Sequence, residues 1–146
     1  MTSSADERFM WEALREAQKA GQQGEIPIGA VVVCRNTIIA RSHNLNETLS
    51  DPTAHAEMQA ITMATHHLGG KYLTGCTLYV TIEPCPMCAA ALNWAQVSRI
   101  VFGAADPKRG YSLFSPPLLH PRTQITSGIL AEECGKLVSD FFKTIR

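Results

Sequence analysis

Cys85 and Cys88 stand three residues apart in Glu83-Pro84-Cys85-Pro86-Met87-Cys88, directly behind the apolar run Cys76–Ile82. No other stretch constrains the fold as much. A β-branched and aromatic run of this length reads as a buried strand, and a proline behind Cys85 reads as the first position of a helix that Cys85 caps. The chain must therefore contain a strand that hands two sulfurs to the start of a helix. Three-residue helical spacing lets both reach one ion. Taken alone, the pair fits three chemistries: a redox dithiol at a strand-to-helix junction, a structural zinc clip, and part of a catalytic metal site.

The remaining sequence alternates helix and strand patterns. Residues 4–20 predict a helix, with Ser4 and Glu7 as a capping box, Phe9/Met10, Ala13/Leu14 and Ala17 at helical spacing, and Gly21 behind. Residues 28–34 and 37–43 are β-branched runs joined by Arg35-Asn36, the pattern of a hairpin. Thr53 is the expected cap of a helix that ends at Gly69-Gly70. Residues 99–104 predict a strand, 105–123 a proline-rich irregular stretch, and Thr123-Gln124-Ile125-Thr126 a short last strand. Leu130, Cys134, Leu137, Val138 and Phe141 stripe a closing helix. The sum is an α/β layered domain with a mixed sheet and helices on both faces.

Composition narrows the setting. With 146 residues, 45% of them apolar, the chain suits one domain with a real core. Its longest apolar runs fall well short of the roughly 18 residues of a membrane span, and no basic-then-apolar leader opens it. Five cysteines, Cys34, Cys76, Cys85, Cys88 and Cys134, spread through apolar segments suit buried thiols in a reducing compartment, so a cytoplasmic location is expected. Thirteen basic and thirteen acidic residues balance, so nucleic-acid binding, if present, is local.

Histidine supplies the candidate third ligands for the thiol pair. His66 and His67 lie about 17 Å along the helix from His55 at 1.5 Å rise per residue, too far to share its ion, and read as exposed groups favoured by the helix C-terminus. His120 is loop-borne, and His43, at a strand end, is expected at the surface. His55 differs by its company, His55-Ala56-Glu57. Glu57 falls with Ile61, Ala64 and Leu68 on the predicted buried face, where an acid is costly unless a nearby cation and a proton to be moved compensate it. Three protein ligands with an open fourth position describe a catalytic zinc site; Cys34, Cys76 or Cys134 as a fourth ligand would make a closed structural one.

His55-Ala56-Glu57 with Pro84-Cys85-Pro86-Met87-Cys88 is similar to the His-x-Glu…Pro-Cys-x-x-Cys signature of zinc-dependent nucleoside and nucleobase deaminases. Residues 51–57, 77–92, 99–108 and 128–142 extend the resemblance, over most of the chain, to the bacterial tRNA-specific adenosine deaminases, which convert the wobble adenosine of a tRNA anticodon to inosine. The resemblance implies a single zinc-dependent deaminase domain over 1–146 with the cytidine deaminase-like fold, a three-layer α/β/α sandwich around a mixed five-stranded sheet. It also implies a homodimer with one Zn2+ per chain and a tRNA anticodon loop as partner. His55, Cys85 and Cys88 would be the ligands and Glu57, not a ligand, the proton carrier.

Further roles follow from the same resemblance. Asn44 and the Ala56 backbone would contact the base, and Ile28 with Pro27 and Gly29 would wall the pocket. By its position directly before the zinc helix, Glu83 is expected to cap backbone donors or orient a ligand. Trp94 reads as packing or a dimer contact. Between Arg99 and Arg122 four basic residues (Arg99, Lys108, Arg109, Arg122) meet one acid, Asp106, with Tyr111 and Phe114 interleaved, a local pattern suited to single-stranded RNA. Asp106, Lys108, Arg109, Tyr111 and Phe114 are the candidate RNA contacts. This segment departs from the family, whose members carry a longer stretch here with an Asn-His pair. A small-molecule nucleobase or nucleoside deaminase therefore stays open, and behind it a non-catalytic zinc protein that binds RNA.

Overall fold

Arg35 and Asn36 both adopt left-handed backbone, with φ of 53° and 64°. Such a pair makes the type I′ turn whose twist matches that of flanking strands, and it joins β1 (Gly29–Cys34) to β2 (Thr37–His43) as the expected hairpin. The computed structural model describes residues 4–145; the side chain of Ser4, the expected partner of Glu7 in a capping box, lies outside that description. Around the hairpin the chain runs α1 (Ser4–Gln22), β1, β2, α2 (Ala56–Leu68), β3 (Cys76–Ile82), α3 (Pro86–Trp94), β4 (Arg99–Ala104), β5 (Gln124–Ser127) and α4 (Ala131–Thr144). A single 3-10 turn at Tyr111–Leu113 interrupts the proline-rich stretch. Among the described residues no helix is long and apolar enough to cross a membrane.

The five strands form one mixed sheet in the order β2-β1-β3-β4-β5, with β1 antiparallel to both β2 and β3, and β3, β4 and β5 parallel. Side-chain alternation sorts the strands' residues into two cores. Ala30, Val32, Leu78, Val80, Ile100 and Phe102 pack with α2 and α3. Val31, Val33, Tyr79 and Val101 pack with α1 and α4. The result is the expected three-layer sandwich of the cytidine deaminase-like fold.

Topology then determines what meets what. Gly29 pairs with His43, Ala30 with Val80 and Ile82 with Ala104, so the start of β1 and the ends of β2, β3 and β4 share one end of the sheet. Both α2 and α3 follow from that end. Parallel β4 and β5 need a crossover, and 105–123 supplies it, leaving the shared end and returning to Gln124 beside Arg99 at the opposite one.

Gly29 is where α1 meets the sheet. A Cβ there would lie 2.1 Å from the Ala13 carbonyl oxygen and 2.4 Å from the Ala17 nitrogen, both helix backbone. The expected role of Pro27 to Gly29 as a pocket wall is thus modified: Gly29 serves helix-on-strand packing, while Ile28 packs between the two cores. Gly29→Ala should destabilise the fold by about 3 kcal/mol, at the upper end for overpacking because backbone cannot turn aside. Chemical denaturation of the two proteins checks this.

Candidate metal centre and active site

His55 and Cys85 occupy equivalent positions on neighbouring helices. Each is the N-cap residue, His55 of α2 at φ −72° and ψ 157°, Cys85 of α3 at φ −73° and ψ 169°, and neither side chain makes a capping hydrogen bond. His55 replaces Thr53 as the expected cap, since Thr53 Oγ1 donates instead to Asp51. Freed from capping, the two side chains turn toward each other. His55 Nδ1 lies 3.6 Å from Cys85 Sγ and 3.4 Å from Cys88 Sγ, and all three donor atoms fall within 4.8 Å of one another. Tetrahedral zinc with Zn–S near 2.3 Å and Zn–N near 2.0–2.1 Å requires N to S separations of about 3.6 Å. The donor set fits zinc in type and spacing. Among the described residues this is the cluster that could hold a metal, and Cys34, Cys76 and Cys134 have no part in it.

The same end of the sheet supplies electrostatics. Two helix N-termini converge on the sulfurs, and their unpaired amides favour negative charge there. Cys85 is held down to about 4 by a hydrogen bond from Cys88, with His55 adding to the effect against the cost of burial, whereas Cys88 is pushed far up by accepting that role and by burial. His55 is raised, first through its contact with Cys85. The nearby Arg109 cation opposes a second positive charge on that ring.

Glu57, in the first turn of α2, is 4% exposed. Burial pushes its carboxyl up to about 7, partly offset by its own backbone N–H, by His55 and by a hydrogen bond with Cys88. A divalent cation at the cluster would pull in the opposite direction. A buried carboxyl in contact with a candidate ligand, with burial raising its proton affinity and a cation lowering it, suits proton transfer. The buried face of α2 is Ala56, Glu57, Ala60 and Ala64; Leu68, expected on it, is the last residue of the helix and is exposed.

Asn44 is buried beside this group, and its Oδ1 accepts the Ala56 N–H at 2.8 Å. The backbone donor determines which end of the amide is oxygen, so Nδ2 is the end left for a ligand. Ala56 was expected to offer its N–H to a base; that N–H is committed to Asn44. Ser42 Oγ donates to the Ala56 carbonyl at 2.6 Å and Asn44 N to the Ile28 carbonyl at 3.2 Å. These bonds tie the start of α2 to β2 and β1.

Sequence reasoning missed Glu25. It is buried, and its carboxylate accepts from Glu47 N, Thr48 N and Thr48 Oγ1 at 3.0, 2.7 and 2.6 Å, pinning the loop that runs from Asn44 to His55. Burial raises its pKa, but those bonds outweigh burial and hold it below its ordinary value. A depressed folded-state pKa contributes stability that is complete above the unfolded value, near 4.5, and is lost as pH falls through the folded one. Wild type should therefore exceed Glu25→Gln in denaturant stability at pH 7, with the gap closing on acidification below that range. A lone acid between a helix and a strand carries no pattern that would have marked it.

Other candidates land as follows. His66 and His67 are exposed at the far end of α2, as expected. His43, expected at the surface, is half-buried: Nδ1 meets Glu16 at 3.0 Å and Nε2 meets Gln23 at 3.2 Å, linking β2 to α1 and the residue behind it. His120 lines a surface depression of about 690 Å³ with Thr77, Arg99 and Arg122, at the opposite end of the sheet from the cluster. Arg99 is no part of a basic patch near the site, because both terminal guanidinium nitrogens donate to Asp6 at 2.9 and 2.8 Å, with Tyr79 OH on the same carboxylate. Lys108 and Arg109 are the basic residues that the crossover keeps at the cluster's end. Tyr111 is half-buried, its ring edge-on to Phe102 at 6.3 Å, whereas Phe114 is exposed. Trp94 is 84% exposed, which leaves no packing role for it within the chain.

Residues 3–104 match the family described as the cytidine and deoxycytidylate deaminase zinc-binding region. The tRNA-specific adenosine deaminase of Bacillus subtilis (strain 168) is 49% identical, over 97% of this chain and 91% of that protein. A solved structure from a study of A-to-I editing by tRNA:A34 deaminases at the wobble position superimposes with a TM-score of 0.84 at 45% identity, covering 89% of this chain and 98% of that one. The guanine deaminase of Bacillus subtilis is 42% identical, with a TM-score of 0.65, but covers 68% of this chain and 64% of its own.

Proposed function

Because the chain belongs to the cytidine and deoxycytidylate deaminase zinc-binding family, among its tRNA-specific adenosine deaminases, we propose that it hydrolyses the wobble adenosine of a tRNA anticodon to inosine, releasing ammonia. The observation that carries this reading is a buried acid, Glu57, in contact with a three-donor metal cluster. A scaffold that only bound zinc and RNA has no use for that acid, whose burial is costly. The reading takes 1–146 as one zinc-dependent deaminase domain, cytoplasmic, with one zinc per chain held by His55 Nδ1, Cys85 Sγ and Cys88 Sγ. Exposed Trp94 at the end of α3 supports a homodimer.

Bound by these three donors, zinc supplies Lewis acidity that makes a water acidic near neutral pH. Glu57 takes a proton from the attacking water and delivers it to N1 of adenine as the water oxygen bonds to C6. It then takes the second proton and passes it to the amino nitrogen, so that the C6–N bond breaks and ammonia leaves. Asn44 Nδ2 donates to the base, and Ala56 acts indirectly, by holding the Asn44 amide in that orientation. Ile28, whose carbonyl accepts the Asn44 N–H, helps hold Asn44 in place.

Guanine deamination is the second reading, favoured by the 42% identity to the guanine deaminase. Coverage of both chains weighs against it, since the adenosine deaminase likeness runs through β5 and α4. One side-by-side assay decides: inosine formation in an anticodon stem-loop against deamination of free guanine, adenine and cytidine. Inosine in the stem-loop is expected; turnover of a free base with none in the RNA would overturn the reading.

A further inference from the structure

Glu83 is a buried carboxylate that the proton chemistry does not use. It was expected to cap backbone donors or orient a ligand; the backbone donors it takes belong to the 106–112 loop and not to α3. Its oxygens accept from Asp106 N at 3.1 Å, Ser112 N at 3.0 Å and Ser112 Oγ at 2.7 Å. Its own N–H donates to the Ala104 carbonyl at 2.8 Å, and Tyr111 N donates to the Pro84 carbonyl at 2.9 Å. Gly110 presses against the carboxylate so closely that a Cβ there would lie 2.4 Å from it. Within the loop, Asp106 Oδ1 accepts from Lys108 N and Arg109 N, each at 3.0 Å. Residues 106–112 are thus one turn wrapped around a single side chain, two residues before Cys85.

Lys108 and Arg109 project from the turn, and Leu113 and Phe114 follow it, 55% and 50% exposed. Cations beside an exposed aromatic suit a single-stranded nucleic acid, through phosphates and a stacked base. A free purine has no phosphate to offer and does not need the loop.

We infer that Glu83 is a positioning residue that latches loop 106–114 against the start of the metal helix, and that this latch sets the preference for a polynucleotide over a free base. The inference rests on the RNA reading above, and deepens it by locating the RNA preference in one carboxylate. Gln at position 83 keeps the shape but turns an amide N–H2 toward backbone donors, so the latch fails while its volume remains.

The test uses the zinc-loaded full chain with Glu57→Gln as background, so that binding is read without turnover. Adding Glu83→Gln should leave zinc content unchanged, speed amide exchange at 106 and 112 by about tenfold or more, and weaken binding of an anticodon stem-loop by about tenfold or more. Its log Kd against log salt should become shallower by roughly 1 to 1.5, the loss of two single-strand phosphate contacts. Gly110→Ala should open the loop similarly beside Glu83, and less so beside Glu83→Ala, where the clash is gone. Unchanged exchange would overturn the latch; faster exchange with unchanged stem-loop affinity and salt slope would overturn its role in RNA preference. Failure of the adenosine reading shows elsewhere, in wild-type protein that turns over only a free base.

Discussion

Glu57→Gln is expected to retain its zinc and lose turnover by about 10³-fold or more, the range that a positioned general acid-base group supplies. Three donors other than Glu57 make up the metal cluster, so metal content by elemental analysis should match wild type. Glutamine preserves volume, and a neutral amide escapes the desolvation that raises Glu57 to about 7. The variant should therefore be as stable as wild type or more so, the usual relation where a site holds a group at a cost. Loss of activity with loss of zinc would assign Glu57 to the metal instead; activity within tenfold of wild type would end the proton-carrier role.

Removing the metal, or a ligand, should produce the second large effect. Zinc sites of four ligands are worth roughly 10–16 kcal/mol, so His55→Ala forgoes about a quarter of that, an affinity loss of ~10²–10³. Turnover should fall with zinc occupancy, and the thermal midpoint with it, because an ion held by His55, Cys85 and Cys88 would tie the start of α2 to the start of α3. Chelation of wild type adds a specific signature. With the metal gone, Cys85, held down to about 4 through Cys88, is thiolate at pH 7, whereas Cys88, pushed up, stays a thiol. Iodoacetamide followed by mass spectrometry should label Cys85 first in chelated protein, and zinc should protect it. Equal labelling with and without zinc would contradict the ligand set.

Legibility followed the range of the forces involved. The spans of β2, β3 and β4 coincide with their apolar runs, and Pro86 begins α3 as its φ constraint dictates. Cys85 with Cys88 could be read as chemistry because three-residue spacing lets both reach one ion, and His55 with Glu57 through the resemblance of His55-Ala56-Glu57 to the deaminase signature. Glu83, Glu25, Ser42 and Arg99 could not, since each acts on a partner 14 to 93 residues away. The basic count over Arg99–Arg122 misled for the same reason: a charge in sequence says nothing of Asp6 on the opposite face of the sheet.

Local pattern alone determined the alternating elements, the three candidate ligands and the buried acid, because helix and strand periods and one-turn spacings are properties of contiguous residues. Only the tertiary structure decided that Cys85 and Cys88 meet His55, since a mixed sheet must bring the ends of β2 and β3 to one end of the sheet before two N-caps can face each other. It alone decided that the variable loop is tied to a carboxylate beside the metal helix. Hydrogen bonds between distant segments are satisfied in space and leave no period in the sequence.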